Sequence, residues 1–139
     1  MKILVINGAN LNMLGKREPS IYGSKTSQDL YNLVADFCGK NEIKVEFFCS
    51  NNEGDIVTKL QFNNADGIVL NAGAFTHYSY AIADAIKCNN TPVVEVHISD
   101  VNQRESFRQN SVIKPNCIAT ICGKGFDGYL EAINILLNK

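Results

Sequence analysis

The chain has 139 residues, 45% of them apolar and 19% charged, with 13 basic side chains against 14 acidic ones for a formal charge of −1. One compact domain with one full core fits that length, and disorder or fibrous structure does not fit that composition. A charge so near zero leaves no strong electrostatic case for nucleic acid or an anionic membrane as partner. Lys2 to Asn7 is a short β-branched run ended by Gly8, the first predicted strand. Residues 8–25 are rich in turn formers and read as a lid loop, since loops beyond about 12–15 residues in a small domain are usually functional. Thr26 or Ser27 is placed to cap a helix over about 28–38, with Leu30, Leu33, Val34 and Phe37 on one face. Lys44 to Cys49 is a second strand. Glu53 to about Asn64 suits a helix with Ile56 and Leu60 along one side, and Gly67 to Asn71 is a third strand. After Ala72-Gly73-Ala74 the pattern predicts a helix from His77 to Cys88, then a strand from Pro92 to Ile98. A short helix over 101–107, a last strand from Cys117 to Cys122 and a helix from Phe126 to Leu137 complete the chain.

Strands and helices alternate, and the strands lack the in–out pattern of a half-exposed sheet. That combination predicts an α/β fold, a parallel sheet with helices on both faces. With right-handed crossovers it becomes a three-layer, flavodoxin-like arrangement of five strands in the order 2-1-3-4-5. No repeat or linker interrupts it, so residues 1–139 are expected to form a single catalytic domain. The longest apolar runs (Ile3 to Ile6, Gly67 to Leu70, Pro92 to Val96) are far shorter than the roughly 20 residues of a spanning helix. Met1-Lys2 leads straight into the first strand without a cleavage-site pattern, so a cytoplasmic location is expected. Cys38, Cys49, Cys88, Cys117 and Cys122 are odd in number and follow no disulfide or zinc spacing; they read as small buried hydrophobes.

In open α/β sheets the ligand lies beyond the carboxyl ends of the strands. Asn7, Gly8, Asn10, Asn12, Arg17 and Tyr22 follow the first strand, and Asn71, Gly73 and His77 follow the third. The fourth ends in Glu95, His97, Ser99 and Asp100, with Arg104 and Arg108 beyond. Both histidines of the chain thus fall on one rim. Arg17 near Tyr22 suggests a tyrosinate base. A free phenol titrates near 10, and bringing it to neutrality requires roughly 4 kcal/mol of differential interaction. Alternate strand residues share a face, so Glu95 can fix the tautomer of His97 and favour its cation, which makes a general acid. The Ile98 and Ser99 main chain is placed to hold a carboxylate, and the Arg108 fork suits oxyanions or vicinal hydroxyls. On one continuous helix His77 and Asp84 would share a face about 10 Å apart along the axis. That separation is too wide for both to grip one small molecule easily, so Asp84 either serves a neighbouring subunit or is a plain helix-surface charge.

The segments Asn7-Gly-Ala-Asn-Leu-Asn12, Gly15-Lys-Arg-Glu-Pro-Ser-Ile-Tyr-Gly23, Ser50-Asn-Asn-Glu-Gly54, Asn71-Ala-Gly-Ala-Phe-Thr-His77 with Ala81-Ile-Ala-Asp-Ala85, Glu95-Val-His-Ile-Ser99 and Arg104-Glu-Ser-Phe-Arg108 resemble the type II 3-dehydroquinate dehydratases. They stand in that family's order and spacing along nearly the whole chain. The resemblance implies dehydration of 3-dehydroquinate to 3-dehydroshikimate through an enolate, a step toward chorismate and aromatic amino acids. It implies Tyr22 as base, Arg17 as stabiliser of the tyrosinate and of developing charge, and Asn12 as enolate stabiliser. His97 is then the proton donor, oriented by Glu95. Asn71, Gly73, His77, Ile98, Ser99 and Arg108 become substrate-binding residues, and Asp84 reaches in from an adjacent subunit of a dodecamer built from trimers. The same resemblance implies no metal and no organic cofactor. Ala9, Ala83 and Asp100 depart from the family's usual proline, arginine and asparagine, at positions that bear on lid stiffness and subunit contacts.

Two other readings share the topology. A flavin- or nucleotide-binding module wants a phosphate-cradling loop after the first strand, and Asn-Gly-Ala-Asn-Leu-Asn is a poor match. A receiver-type signalling domain needs acids where Asn7 and Asn71 stand.

Overall fold

In the computed structural model, residues 1–16, 20 and 24–139 are described. The described elements are β1 (Lys2–Asn7), α1 (Ser27–Lys40), β2 (Lys44–Cys49), α2 (Glu53–Gln61), β3 (Gly67–Asn71), α3 (Tyr80–Ile86), β4 (Val93–His97), β5 (Ala119–Cys122) and α4 (Asp127–Leu137), with short 3-10 turns between them. All strand pairings are parallel and the order is β2-β1-β3-β4-β5, as the alternating pattern predicts.

Alternation along each strand divides the core in two. Ile3 and Val5 of β1 face α1 and α4, packing with Leu30, Val34, Tyr129 and Ile133. Leu4 and Ile6 face the opposite side, against Ile56 and Leu60 of α2 and Ile82 of α3. Each such fully buried aliphatic side chain contributes about 1.5–3 kcal/mol, so both layers are held by the central strands. The edge strand β2 is only half-buried. Among the described residues no helix is long and apolar enough to cross a membrane.

Capping sets the helix starts. Thr26 accepts from the Asp29 amide while Asp29 accepts from the Thr26 amide, a reciprocal box that begins α1 at Ser27. The buried stripe of α1 is Leu30, Val34 and Cys38, with Leu33 and Phe37 flanking it rather than central. Asn52 caps α2, which stops at Gln61, short of Asn64.

Three expected elements differ in form. The helix expected from His77 to Cys88 is a 3-10 turn, Gly73–His77, followed by α3 from Tyr80. The break lies at Ser79, whose extended backbone frees its hydroxyl to accept from the Ile82 amide and to donate to Glu53. His77 and Asp84 therefore do not share one helix face. The short helix expected over 101–107 is two 3-10 turns, Val101–Gln103 and Ser106–Arg108, because Arg104 and Glu105 are extended between them. The lid region expected over 8–25 contains a 3-10 turn at Leu11–Met13, pinned by buried Leu11 and Leu14.

The cysteines are also less uniform than expected. All five are free, but only Cys38 is buried; Cys49, Cys117 and Cys122 are half-buried and Cys88 is exposed. Burial, helped by the Glu95 charge, pushes the Cys117 thiol up to about 12, which keeps it a thiol at neutral pH.

Candidate active site

A cleft opens at the carboxyl ends of β1, β3 and β4, the place where open α/β sheets bind their ligands. The stretch after β1 contributes Ala9, Asn10 and Leu11, and that after β3 contributes Asn71, Gly73, Ala74 and His77. The end of β4 supplies His97, Ile98 and Ser99, and the 3-10 turns supply Val101, Arg104 and Arg108. Seven expected site residues are thus brought together: Asn71, Gly73, His77, His97, Ile98, Ser99 and Arg108.

Close backbone approach shapes the floor. The Gly8 amide donates to the Asn71 carbonyl at 2.7 Å, and a Cβ on Gly8 would stand 2.3 Å from the Ala72 oxygen. Only glycine fits there. Gly73 has φ +62°, and its amide donates to Asn71 Oδ1 at 3.2 Å. That bond assigns the Asn71 side-chain oxygen, because the amide can only donate.

Glu95 lies beneath His97 with no solvent exposure. Its Oε2 is 2.6 Å from His97 Nε2, while Ser111 donates to Oε2 at 2.6 Å and Thr120 to Oε1 at 2.8 Å. Burial alone would raise the Glu95 carboxyl; the donors from His97, Ser111 and Thr120 outweigh it and hold the group below its usual range. An ionised carboxylate accepts only, so His97 Nε2 carries a hydrogen. Nδ1 is left as the ring nitrogen that can exchange a proton.

His77 is arranged differently. Its Nδ1 lies 2.8 Å from the Asn110 carbonyl, so Nδ1 is the protonated nitrogen and Nε2 is an acceptor in the neutral ring. Burial, joined by the positive charges of His97 and Arg108, holds His77 below its ordinary 6.5, against the pull of the Asn110 carbonyl and Glu95. The two histidines therefore differ in what they offer: one is backed by a carboxylate, the other by a carbonyl in a desolvated setting.

The basic wall is oriented by neighbours. Arg108 Nε donates to Glu105 Oε2 at 2.6 Å, and its guanidinium lies 4.9 Å from the Phe107 ring centre. Among the described residues no other hydrogen bond occupies the guanidinium, whose outer edge suits a bidentate contact. Arg104 donates to Ser99 Oγ at 3.3 Å and lines the cleft.

Other expected site residues stand elsewhere. Asn12 is exposed on the Leu11–Met13 turn and Asp84 is exposed on α3; neither lines the cleft. Arg17 and Tyr22 lie outside the described residues. Ser111, Thr120 and Tyr129 were not legible as site-supporting residues: a serine in a loop, a threonine on a strand and an aromatic on a helix carry no local signal. Among the described residues, no three His, Cys, Asp or Glu side chains gather in a way that could hold a metal ion.

Relatives of nearly the same length share this frame. A family model described as dehydroquinase class II matches residues 1–137. The chain is 54% identical over 140 residues to the 3-dehydroquinate dehydratase of Clostridium acetobutylicum, covering 99% of this chain and 97% of that protein. It is 50% identical over 139 residues to the enzyme of the same name from Thermotoga petrophila, covering 100% and 96%. The crystal structure of the type II dehydroquinase from Butyrivibrio crossotus superposes with a TM-score of 0.96 at 51% identity, covering 99% of this chain and 97% of that one. Neither a flavin-binding module nor a receiver domain is favoured beside these likenesses. The chain belongs to the class II dehydroquinase family.

Proposed function

We propose that this chain dehydrates its substrate by a stepwise, tyrosinate-initiated elimination. As a member of its family it is a lyase of the shikimate pathway, converting 3-dehydroquinate to 3-dehydroshikimate and water. The departing hydroxyl lies beta to a ketone, and the hydrogen next to that ketone is weakly acidic. Elimination therefore needs a base, a stabiliser for the enolate and an acid for the leaving oxygen.

In this reading Tyr22 removes the proton and Arg17 stabilises both the tyrosinate and the developing charge. Asn12 supports the enolate oxygen. His97 delivers its Nδ1 proton to the departing hydroxyl, and Glu95 steadies the imidazolium. Asn71, Gly73, His77, the Ile98–Ser99 segment and Arg108 grip the substrate's carboxylate and hydroxyls. Asp84, exposed on α3, completes the site of an adjacent subunit in a dodecamer of trimers, in a single-domain cytoplasmic enzyme. No organic cofactor or metal has a part in these steps.

The observation that carries the reading is the buried Glu95 carboxylate 2.6 Å from His97 Nε2, at the wall of a cleft that also holds His77 and Arg108. The test is an ultraviolet assay for enone formation from 3-dehydroquinate, with and without borohydride. Turnover unaffected by borohydride is expected. Inactivation that requires both substrate and borohydride would mean an imine on a lysine and would overturn the elimination described.

A further inference from the structure

We propose that Ser111 is a positioning residue for the proton donor: its hydroxyl fixes the Glu95 carboxylate and, through it, the His97 ring. This rests on the reading of His97 as the acid.

Glu95 Oε2 is shared by two donors at the same distance, His97 Nε2 and Ser111 Oγ, each at 2.6 Å. The carboxylate can only accept, so the single hydroxyl hydrogen of Ser111 is committed to it. The Lys114 amide donates to Ser111 Oγ at 3.2 Å and fixes the hydroxyl from behind. The other carboxylate oxygen is held by Thr120, the residue beside Glu95 in the β4–β5 register. Two hydroxyls, one from a strand and one from a loop, thus clamp the plane of the carboxylate. Without Ser111 the group is free to pivot about its Thr120 anchor, and the ring that bonds it turns as well.

Ser111 sits in a segment that holds the other histidine too. The neighbouring Asn110 carbonyl accepts from His77 Nδ1 at 2.8 Å, and the Val112 amide donates to the Thr76 carbonyl at 2.9 Å. Arg108 lies just upstream on the cleft wall. One short stretch of chain therefore registers His77, His97 and the basic wall against one another. The titratable and charged groups around the pair are His77, Arg104 and Arg108 across the cleft, with Cys117, Cys122 and Asp100 on the β5 side.

Ser111→Ala should lower kcat about tenfold, the scale of one hydrogen bond to a buried charge, with KM changed by no more than about twofold. A carboxylate left to pivot about Thr120 aligns less well with the imidazolium, so the alkaline limb of the kcat–pH profile should move to lower pH. Ser111→Thr, which keeps the hydroxyl, should restore both. Thr120→Val acts on the same carboxylate through its other oxygen and should move the limb in the same direction. Thermal unfolding is followed in parallel. A lowered melting temperature with wild-type kcat and an unmoved limb in Ser111→Ala would show a merely structural hydroxyl and overturn the inference. His97→Ala separates the two readings: retained turnover there overturns the assignment of the acid, whereas lost turnover beside an unaffected Ser111→Ala overturns only the role of Ser111.

Discussion

Asn71, at the end of β3, donates through Nδ2 to the phenol oxygen of Tyr129 on α4 at 2.9 Å, and Tyr129 donates onward to Asn7 Oδ1 at 2.7 Å. Tyr129 is wholly buried, and burial pushes its hydroxyl well above the ordinary range. The phenol therefore stays a neutral donor and acceptor at neutral pH. It ties the ends of β1 and β3 to the helix that covers them, and it sets which way the Asn71 amide faces the cleft.

Tyr129→Phe removes that oxygen and strands two buried polar groups, Asn71 Nδ2 and Asn7 Oδ1. Each unsatisfied group costs about 1–3 kcal/mol, so urea unfolding should report a loss of about 2–6 kcal/mol. Steady-state kinetics should show a larger rise in KM than fall in kcat, because Asn71 is proposed to hold substrate rather than to move a proton.

Stability should fall with acidity in two stages. The Glu95 carboxyl titrates below its ordinary 4.5 in the folded protein, so as the pH drops the unfolded chain takes up that proton first. Its contribution is present above about 4.5 and disappears as the pH falls through the folded value. His77 is likewise held below its ordinary 6.5, and the unfolded chain again binds the proton first, so an earlier loss begins near 6.5. Urea midpoints from about pH 8 to about pH 2 should show both stages. His77→Asn should flatten the earlier one. Glu95→Gln should flatten the later one and cost about 3 kcal/mol at neutral pH, the scale of breaking a buried charged pair.

The strand order and the two-faced core were legible in sequence because the interiors of β1 and β3 are apolar on both faces. The rim was legible because both histidines and the arginines follow strand ends. What local patterning could not show depends on contacts distant in sequence. Asn7 meets Tyr129 across 122 residues and Glu95 meets Thr120 across 25, and no period or spacing announces such pairs. The break between His77 and α3 was missed for another reason. Residues 77–88 keep a helical apolar rhythm, yet Ser79 gains two side-chain bonds by leaving the helix, and that gain outweighs the rhythm.

Gly73→Ala tests how closely the β1 and β3 ends must approach. The position has φ +62°, and an added Cβ would lie 2.7 Å from the Ala9 oxygen. The left-handed backbone alone costs about 1–2 kcal/mol, and relieving the clash displaces either Ala9 or the Gly73 amide that fixes Asn71. A loss of about 2–3 kcal/mol in urea unfolding and a raised KM are expected. An unchanged KM in a folded variant would show that the Asn71 orientation does not govern substrate binding.

Tyr22→Phe tests the proposed base most directly. A phenol that titrates near 10 is a poor base at neutral pH, and the proposed role requires the Arg17 cation to stabilise its ionised form. The phenylalanine variant should fold with a wild-type melting temperature and lose at least about a thousandfold in kcat, within the span of general acid–base contributions. Arg17→Ala should leave a weaker effect of a distinct kind. The phenol would then ionise at higher pH, so the acidic limb of the kcat–pH profile should move upward, while the alkaline limb stays in place. Opposite limbs thus report on opposite ends of the reaction: the Arg17 variant moves the acidic one, and the Ser111 and Thr120 variants move the alkaline one. Substantial turnover in Tyr22→Phe would transfer the base role to another group, and movement of the alkaline limb in Arg17→Ala would place that arginine with the acid instead.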